Sequence, residues 1–133
     1  MDRVCHFEVP YSDKQRMEEF YAKVFGWQFQ GMPGDVPYSF IFTTEVDETF
    51  MPKTPGGING GSYPRGEGGG SQSPVIVLEV ESCAQRAQDV VNAGGSLVIG
   101  PNEVGGGMGI YAQVKDSEGN TIGLWQPLPR HEA

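Results

Sequence analysis

Val4-Cys5-His6-Phe7-Glu8-Val9 and Val75-Ile76-Val77-Leu78-Glu79-Val80 are the two stretches whose likeness decides the fold. Both set apolar residues at alternate positions, as a half-buried strand does. Both carry a glutamate at the same place in the run, Glu8 and Glu79. Each run then meets a serine placed three residues ahead of a glutamine, Ser12 with Gln15 and Ser82 with Gln85, the spacing of a capping box. Beyond Ser12, Met17, Phe20, Tyr21, Val24 and Phe25 recur at helical intervals and stop at Gly26. Beyond Ser82, Ala84, Ala87, Val90 and Val91 give a shorter helical face that ends at Gly94-Gly95.

Further strands are predicted at residues 27–30, 38–43 and 58–63 after the first helix, and at 97–99, 110–115 and 121–126 after the second. The chain therefore spells β-α-β-β-β twice, and such repetition is a strong signal of architecture. Residues 1–133 read as a single α+β domain: module 1 over about 1–65, a polar Gly/Ser/Pro linker over 66–74 (with Gly68 to Gly70 inside it), and module 2 over about 75–128. The long connection 44–57 has the length of a binding loop, and Gly105 to Gly109 reads as a turn or lid, because no strand-to-helix context makes it a phosphate loop.

Composition narrows the partners. Seventeen acidic and nine basic residues leave a net charge of −8, which disfavours nucleic acid and anionic membrane surfaces. No long apolar run or secretory leader is apparent, and Cys5 and Cys83 lack metal-type spacing, so a cytoplasmic setting is expected. Cys5 reads as a small hydrophobe on a strand.

The helix end FYAKVFGW (20–27), the stretch KDSEGNTIGLWQ (115–126) and the doubled module together resemble the vicinal oxygen chelate superfamily of glyoxalases, extradiol dioxygenases and bleomycin-resistance proteins. The resemblance covers nearly the whole chain. It implies two modules related by pseudo-twofold symmetry, forming a curved, partly open barrel, and a homodimer. It also implies a divalent metal held from the first and last strands of each module. His6 stands where the first such ligand stands, but its counterpart in the second copy is Val77. The glutamate usual on the last strand is Gly123, and the matching place in the first module is Asn59 or Gly60. One ligand of four is too few for a catalytic metal, which wants three. No metal and no cofactor are expected.

Alternation places His6 and Glu8 on one face of the first strand, with Cys5, Phe7 and Val9 toward the helix. By the same rule Val77 and Glu79, and Gly123 with Trp125, face away from the second helix, while Ile122 and Leu124 face it. The candidate ligand-binding pocket is thus His6, Glu8, Glu79, Trp125, Asn59 and Gln113, with Gly123 and Gly60 making room and Tyr38, Tyr63 and Tyr111 as further polar liners. A carboxylate on each otherwise apolar strand is costly to bury without a reason, yet each could simply pair with an arginine. His6 could equally be a hydrogen-bonded residue inherited from metal-binding relatives, and Trp125 could be plain core or a flat wall for an organic ligand.

Three functions remain open on these residues. The first is a metal-independent small-molecule-binding protein, suited to a cationic or aromatic ligand. The second is a metal-dependent lyase, isomerase or dioxygenase using a non-standard set such as His6 with Glu8 or Glu79. The third is a metal-free enzyme in which a paired carboxylate acts as base. Whether the chain is an enzyme is left undecided by the sequence.

Overall fold

The computed structural model describes residues 1–33, 37–66 and 71–129. Ten elements follow in order: β1 (Val4–Tyr11), α1 (Lys14–Phe25), β2 (Gln28–Gly31), β3 (Ser39–Phe42), β4 (Gly60–Pro64), β5 (Val75–Glu79), α2 (Cys83–Asn92), β6 (Ser96–Val104), β7 (Gly109–Lys115) and β8 (Thr121–Pro127). The α+β class and the doubled β-α-β-β-β are as expected. The centre of the predicted linker, residues 67–70, lies outside the described residues.

Two compact units result. One comprises His6–Pro74; the other comprises Met1–Cys5 together with the chain from Val75 onward. Arg3 shows why the N-terminus goes with the second unit. Its carbonyl accepts from the Glu79 N–H at 2.9 Å, and its guanidinium lies 3.5 Å from the Glu79 carboxylate. Asp2 in turn pairs with Arg86 of α2 at 2.6 Å.

In the unit His6–Pro74 the strands run in the order β2-β3-β4-β1, with β4 parallel to β1 and the other pairs antiparallel. In the other unit β6-β7-β8-β5 repeats that order, with β8 parallel to β5. The register fixes the faces. Phe7 lies beside Gly60 and Glu8 beside Gly61, while Leu78 lies beside Leu124 and Glu79 beside Trp125. Superposing the copies through these pairs makes Glu8 equivalent to Glu79, Asn59 to Gly123, and Gly61 to Trp125.

The helices differ in how they are held. α2 begins as predicted, with the Ser82 hydroxyl accepting from the Gln85 N–H at 3.2 Å. α1 is capped one residue later than predicted. Asp13 accepts from the Arg16 N–H at 3.0 Å, while the Ser12 hydroxyl receives the Arg65 guanidinium at 2.7 Å. A carboxylate at that position is as good a cap as serine, and spacing alone does not separate neighbours. Gly26 ends α1 at φ 74°, a left-handed residue that glycine adopts without strain.

α2 seals a core of Val80, Cys83, Ala87, Ala112, Val114 and Leu124, bordered by Leu78, Val90, Ile110 and Ile122. Val80, Val114 and Leu124, which are almost fully buried, each contribute about 1.5–3 kcal/mol. Burial also pushes the Cys83 thiol up to about 11, which leaves it an inert core residue. α1 buries nothing completely: Met17 and Tyr21 are half-buried, and Phe20, Val24 and Phe25 are exposed. The predicted apolar face exists, but only half of it is covered. β6 is much longer than predicted, and its pairing with β7 shifts register twice between Leu97 and Asn102. The Gly105–Gly107 stretch is the turn into β7. Among the described residues no helix is long and apolar enough to cross a membrane.

Candidate functional site

The face of each sheet turned away from its helix carries the polar residues. In the unit His6–Pro74 the helix side is marked by Phe7, whose ring lies 5.5 Å from Trp27, itself stacked on Tyr21 of α1 at 4.5 Å. Alternation then puts His6 and Glu8 on the helix-free side, as predicted, with His6 half-buried and Glu8 buried. Glu8 is 4% exposed.

His6 is not left open. Its Nε2 lies 2.8 Å from the Tyr38 hydroxyl. Burial holds the imidazole well below its usual value, at about 4, so it is neutral at physiological pH. Tyr38 reaches His6 because Gly61 has no side chain: a Cβ there would run into the Tyr38 ring and hydroxyl. Phe40 braces the Tyr38 ring edge-on at 5.9 Å. The space-making glycine is therefore Gly61 rather than Gly60. A Cβ on Gly60 would meet the Phe7 ring at 2.8 Å, on the helix side. One residue of register decides between them, and register is what the sequence left unpinned.

The same pairing shows that Asn59, not Gly60, is the counterpart of Gly123. The Asn59 side-chain oxygen accepts from the Thr43 and Thr44 N–H groups at 2.8 and 3.1 Å. It thereby ties down the start of the loop 44–57. On the helix side of this unit, Phe7, Trp27, Thr43, Thr44, Gly57 and Ile58 line an open depression of about 440 Å³. It lies on the opposite face from His6.

In the other unit, Val77 and Gly123 are neighbours across β5 and β8, and Gln113 lies beside Gly123 on β7. A Cβ on Gly123 would meet Val77 Cγ2 at 2.9 Å and the Tyr111 hydroxyl at 3.2 Å. The place from which a glutamate would project is thus filled by a tyrosine. Gln113 is 2% exposed and donates through Nε2 to the Tyr111 hydroxyl at 2.8 Å, while its Oε1 has no hydrogen-bond partner among the described residues. Trp125 packs over Gly109, where an added Cβ would meet the indole at 2.5 Å. Glu79 is unlike Glu8, because its side chain is 37% exposed and ion-paired with Arg3. An exposed pair of this kind contributes little stability.

Sequence reasoning named Tyr38 and Tyr111 only as general liners and missed Gly61 and Gly109. The available signal was reciprocal. When the copies are aligned through their registers, Tyr38 falls on Gly109 and Gly61 falls on Trp125, an aromatic–glycine pair with its members exchanged.

These residues do not fit the divalent metal that the fold implies. His6 Nε2 is engaged by a phenol, the counterparts of the other three positions are Asn59, Val77 and Gly123, and the Asn59 oxygen serves two backbone amides. Among the described residues no three His, Cys, Asp or Glu side chains come together as a metal site.

The model of the glyoxalase/bleomycin resistance protein/dioxygenase superfamily matches residues 3–124. No curated protein matches the chain. Among solved structures, methylmalonyl-CoA epimerase of Streptomyces coelicolor in complex with 2-nitronate-propionyl-CoA superposes with a TM-score of 0.63 at 12% identity, over 98% of each chain. Methylmalonyl-CoA epimerase from Mycobacterium tuberculosis gives 0.56 at 15% identity, over 94% of this chain and 87% of its own. A hypothetical protein from Bacillus halodurans C-125 gives 0.61 at 13% identity, over 99% of both. At such identities the likeness is one of fold. With the family match spanning nearly its whole length, this chain belongs to the glyoxalase/bleomycin resistance protein/dioxygenase superfamily.

Proposed function

We propose that this protein is a metal-independent small-molecule-binding member of its superfamily, cytoplasmic, homodimeric and built as one domain. The observation that carries the reading is the engagement of His6 Nε2 by the Tyr38 hydroxyl, at the position where a relative's first metal ligand is expected. Tyr111 over Gly123 supports it from the other unit. The ligand class follows from the groups that share the helix-free face of the unit containing β5 to β8, the buried amide of Gln113, the ring of Tyr111 and the indole of Trp125, together with an acidic chain of net charge −8. Such groups suit a flat or cationic organic molecule. A CoA ester, as bound by the S. coelicolor relative, is a poorer match, because its phosphates would meet a chain with only nine basic residues.

Elemental analysis and thermal melting test the reading together. Purified protein should carry well below one equivalent of divalent metal, and a chelator should leave its melting temperature unchanged. Compounds that quench tryptophan fluorescence in the wild type should do so less in Gln113→Leu. Stoichiometric zinc, nickel or iron that is lost on replacing His6 would overturn the reading.

A further inference from the structure

We propose that the depression on the helix side of the unit His6–Pro74 is a second small-molecule site. It takes an uncharged planar aromatic molecule with a hydrogen-bond donor and acceptor on one edge, of which an aromatic amide is the simplest kind.

The two copies of the module serve as controls for each other. Aligned through their registers, Gly60 falls on Leu124 and Thr43 falls on Val114. Leu124 and Val114 belong to the core that α2 seals, at 3% and 2% exposure. In the unit His6–Pro74 neither place holds an aliphatic side chain. Thr43 is exposed, and the Phe7 ring lies over Gly60, where an added Cβ would meet it at 2.8 Å. Beside that ring a volume of about 440 Å³ stays open. Pockets for small organic molecules start at about 300 Å³.

The walls of the depression are fixed in advance. Trp27 is stacked on Tyr21 at 4.5 Å and 6°, which covers one face of the indole, and the Phe7 ring stands 5.5 Å from it at 47°. Asn59 holds Thr43 and Thr44 through their N–H groups. Gly57 closes on Thr44, where a Cβ would meet Cγ2 at 2.8 Å. Walls ordered beforehand lose little entropy when a ligand arrives.

The polar groups define the ligand. The Thr43 hydroxyl donates to the Ile58 carbonyl at 2.6 Å, so toward a ligand its oxygen can only accept. The Trp27 indole N–H has no hydrogen-bond partner among the described residues, and it can only donate. One donor and one acceptor beside two aromatic rings match a planar molecule bearing a carbonyl and an N–H. No side chain lining the depression is charged. An ion would therefore lose hydration there without gaining a counter-charge.

Four compounds of nearly one shape test this on the full chain: benzamide, benzamidine, benzoate and toluene. The chain has two tryptophans, so their indole N–H resonances, assigned with Trp27→Phe and Trp125→Phe, report the two units separately. Millimolar benzamide should shift the Trp27 resonance saturably. The cation, the anion and the hydrocarbon should each bind there at least about tenfold more weakly. Thr43→Val, which installs the residue of the other copy, should weaken benzamide about fivefold and leave the melting temperature unchanged. Thr43→Phe should fill the depression and abolish the shift. Benzamide that leaves Trp27 unmoved, or whose affinity is indifferent to both Thr43 variants, would overturn the site. Benzamide that shifts Trp125 and not Trp27 would overturn it too, while keeping the pocket proposed above. A charged compound or toluene binding at Trp27 as tightly as benzamide would overturn the class of ligand.

Discussion

Acidification between about pH 6.5 and 4 should cost this protein a definite part of its stability through one residue, His6. The cause is burial, which lowers the imidazole from its ordinary value of 6.5 to about 4. In that interval the unfolded chain binds a proton that the folded chain refuses. Stability is therefore full above pH 6.5, falls as the pH drops, and stops falling from this source at about 4, where the folded protein also takes the proton. Each unit of difference corresponds to about 1.4 kcal/mol, so the whole interval is worth about 3 kcal/mol. The carboxylates held below their usual range, Asp47, Asp89 and Asp116, lose their contributions lower on the pH scale and do so in any variant.

A His6→Gln variant isolates the effect, because glutamine can still meet the Tyr38 hydroxyl but does not titrate. Urea unfolding of both proteins at intervals from pH 7 to 4 should give curves that diverge on acidification, with the wild type losing more. Proton NMR offers a direct check. The chain has only two histidines, and the His6 ring resonance, identified by its absence in the variant, should not move through neutral pH. A His6 titration near 6.5, or parallel stability curves, would refute the claim that Tyr38 and its surroundings hold a neutral imidazole.

Gly61→Ala should cost about 1–3 kcal/mol by overpacking against Tyr38, and should bring the His6 titration back toward its ordinary range; adding Tyr38→Ala should recover part of the lost stability, as urea unfolding would show. Asp13→Ala should cost about 1 kcal/mol as the loss of a helix cap, whereas Ser12→Ala should stay within about 0.5. Leu124→Ala should cost about 2–5 kcal/mol, since it opens a void in the core sealed by α2.

Much of the fold was legible because it depends on pattern, which survives in a single sequence. Alternation in Val4–Val9 and Val75–Val80 sorted His6 and Glu8 from Phe7 correctly. Ser82 and Gly26 bounded helices because capping is a local matter of one hydrogen bond or one left-handed residue. What failed depended on register or on distance. Gly60 was taken for Gly61 because a shift of one residue inverts the face, and nothing local fixes the pairing of β1 with β4. The exposure of Phe20 and Phe25 was not legible either: helical periodicity marks a face as apolar without saying whether anything covers it. Asn59 likewise looked like a site residue, and its use by the Thr43 and Thr44 amides depends on a loop return that composition does not encode.

The exchange between Tyr38–Gly61 and Gly109–Trp125 indicates how the two copies parted while keeping one architecture. In both, a bulky ring must cover a glycine on the neighbouring strand, since an uncovered glycine would leave backbone poorly packed. Which strand supplies the ring is free, because either choice fills the same volume. The choice is not neutral for chemistry. With the ring at Tyr38, just ahead of β3, its hydroxyl lands on His6, whereas with the ring on β8 an indole packs over Gly109. One copy thus acquires a hydrogen-bonded imidazole–phenol pair, and the other an aromatic wall beside Tyr111 and Gln113. If packing alone fixed these pairs, swapping them should be tolerated. Tyr38→Gly with Gly61→Trp should then fold with a melting temperature near the wild type's, while His6, having lost its phenol, titrates at a different pH. A double variant that does not fold would show that Tyr38 is held in place by more than the volume it fills.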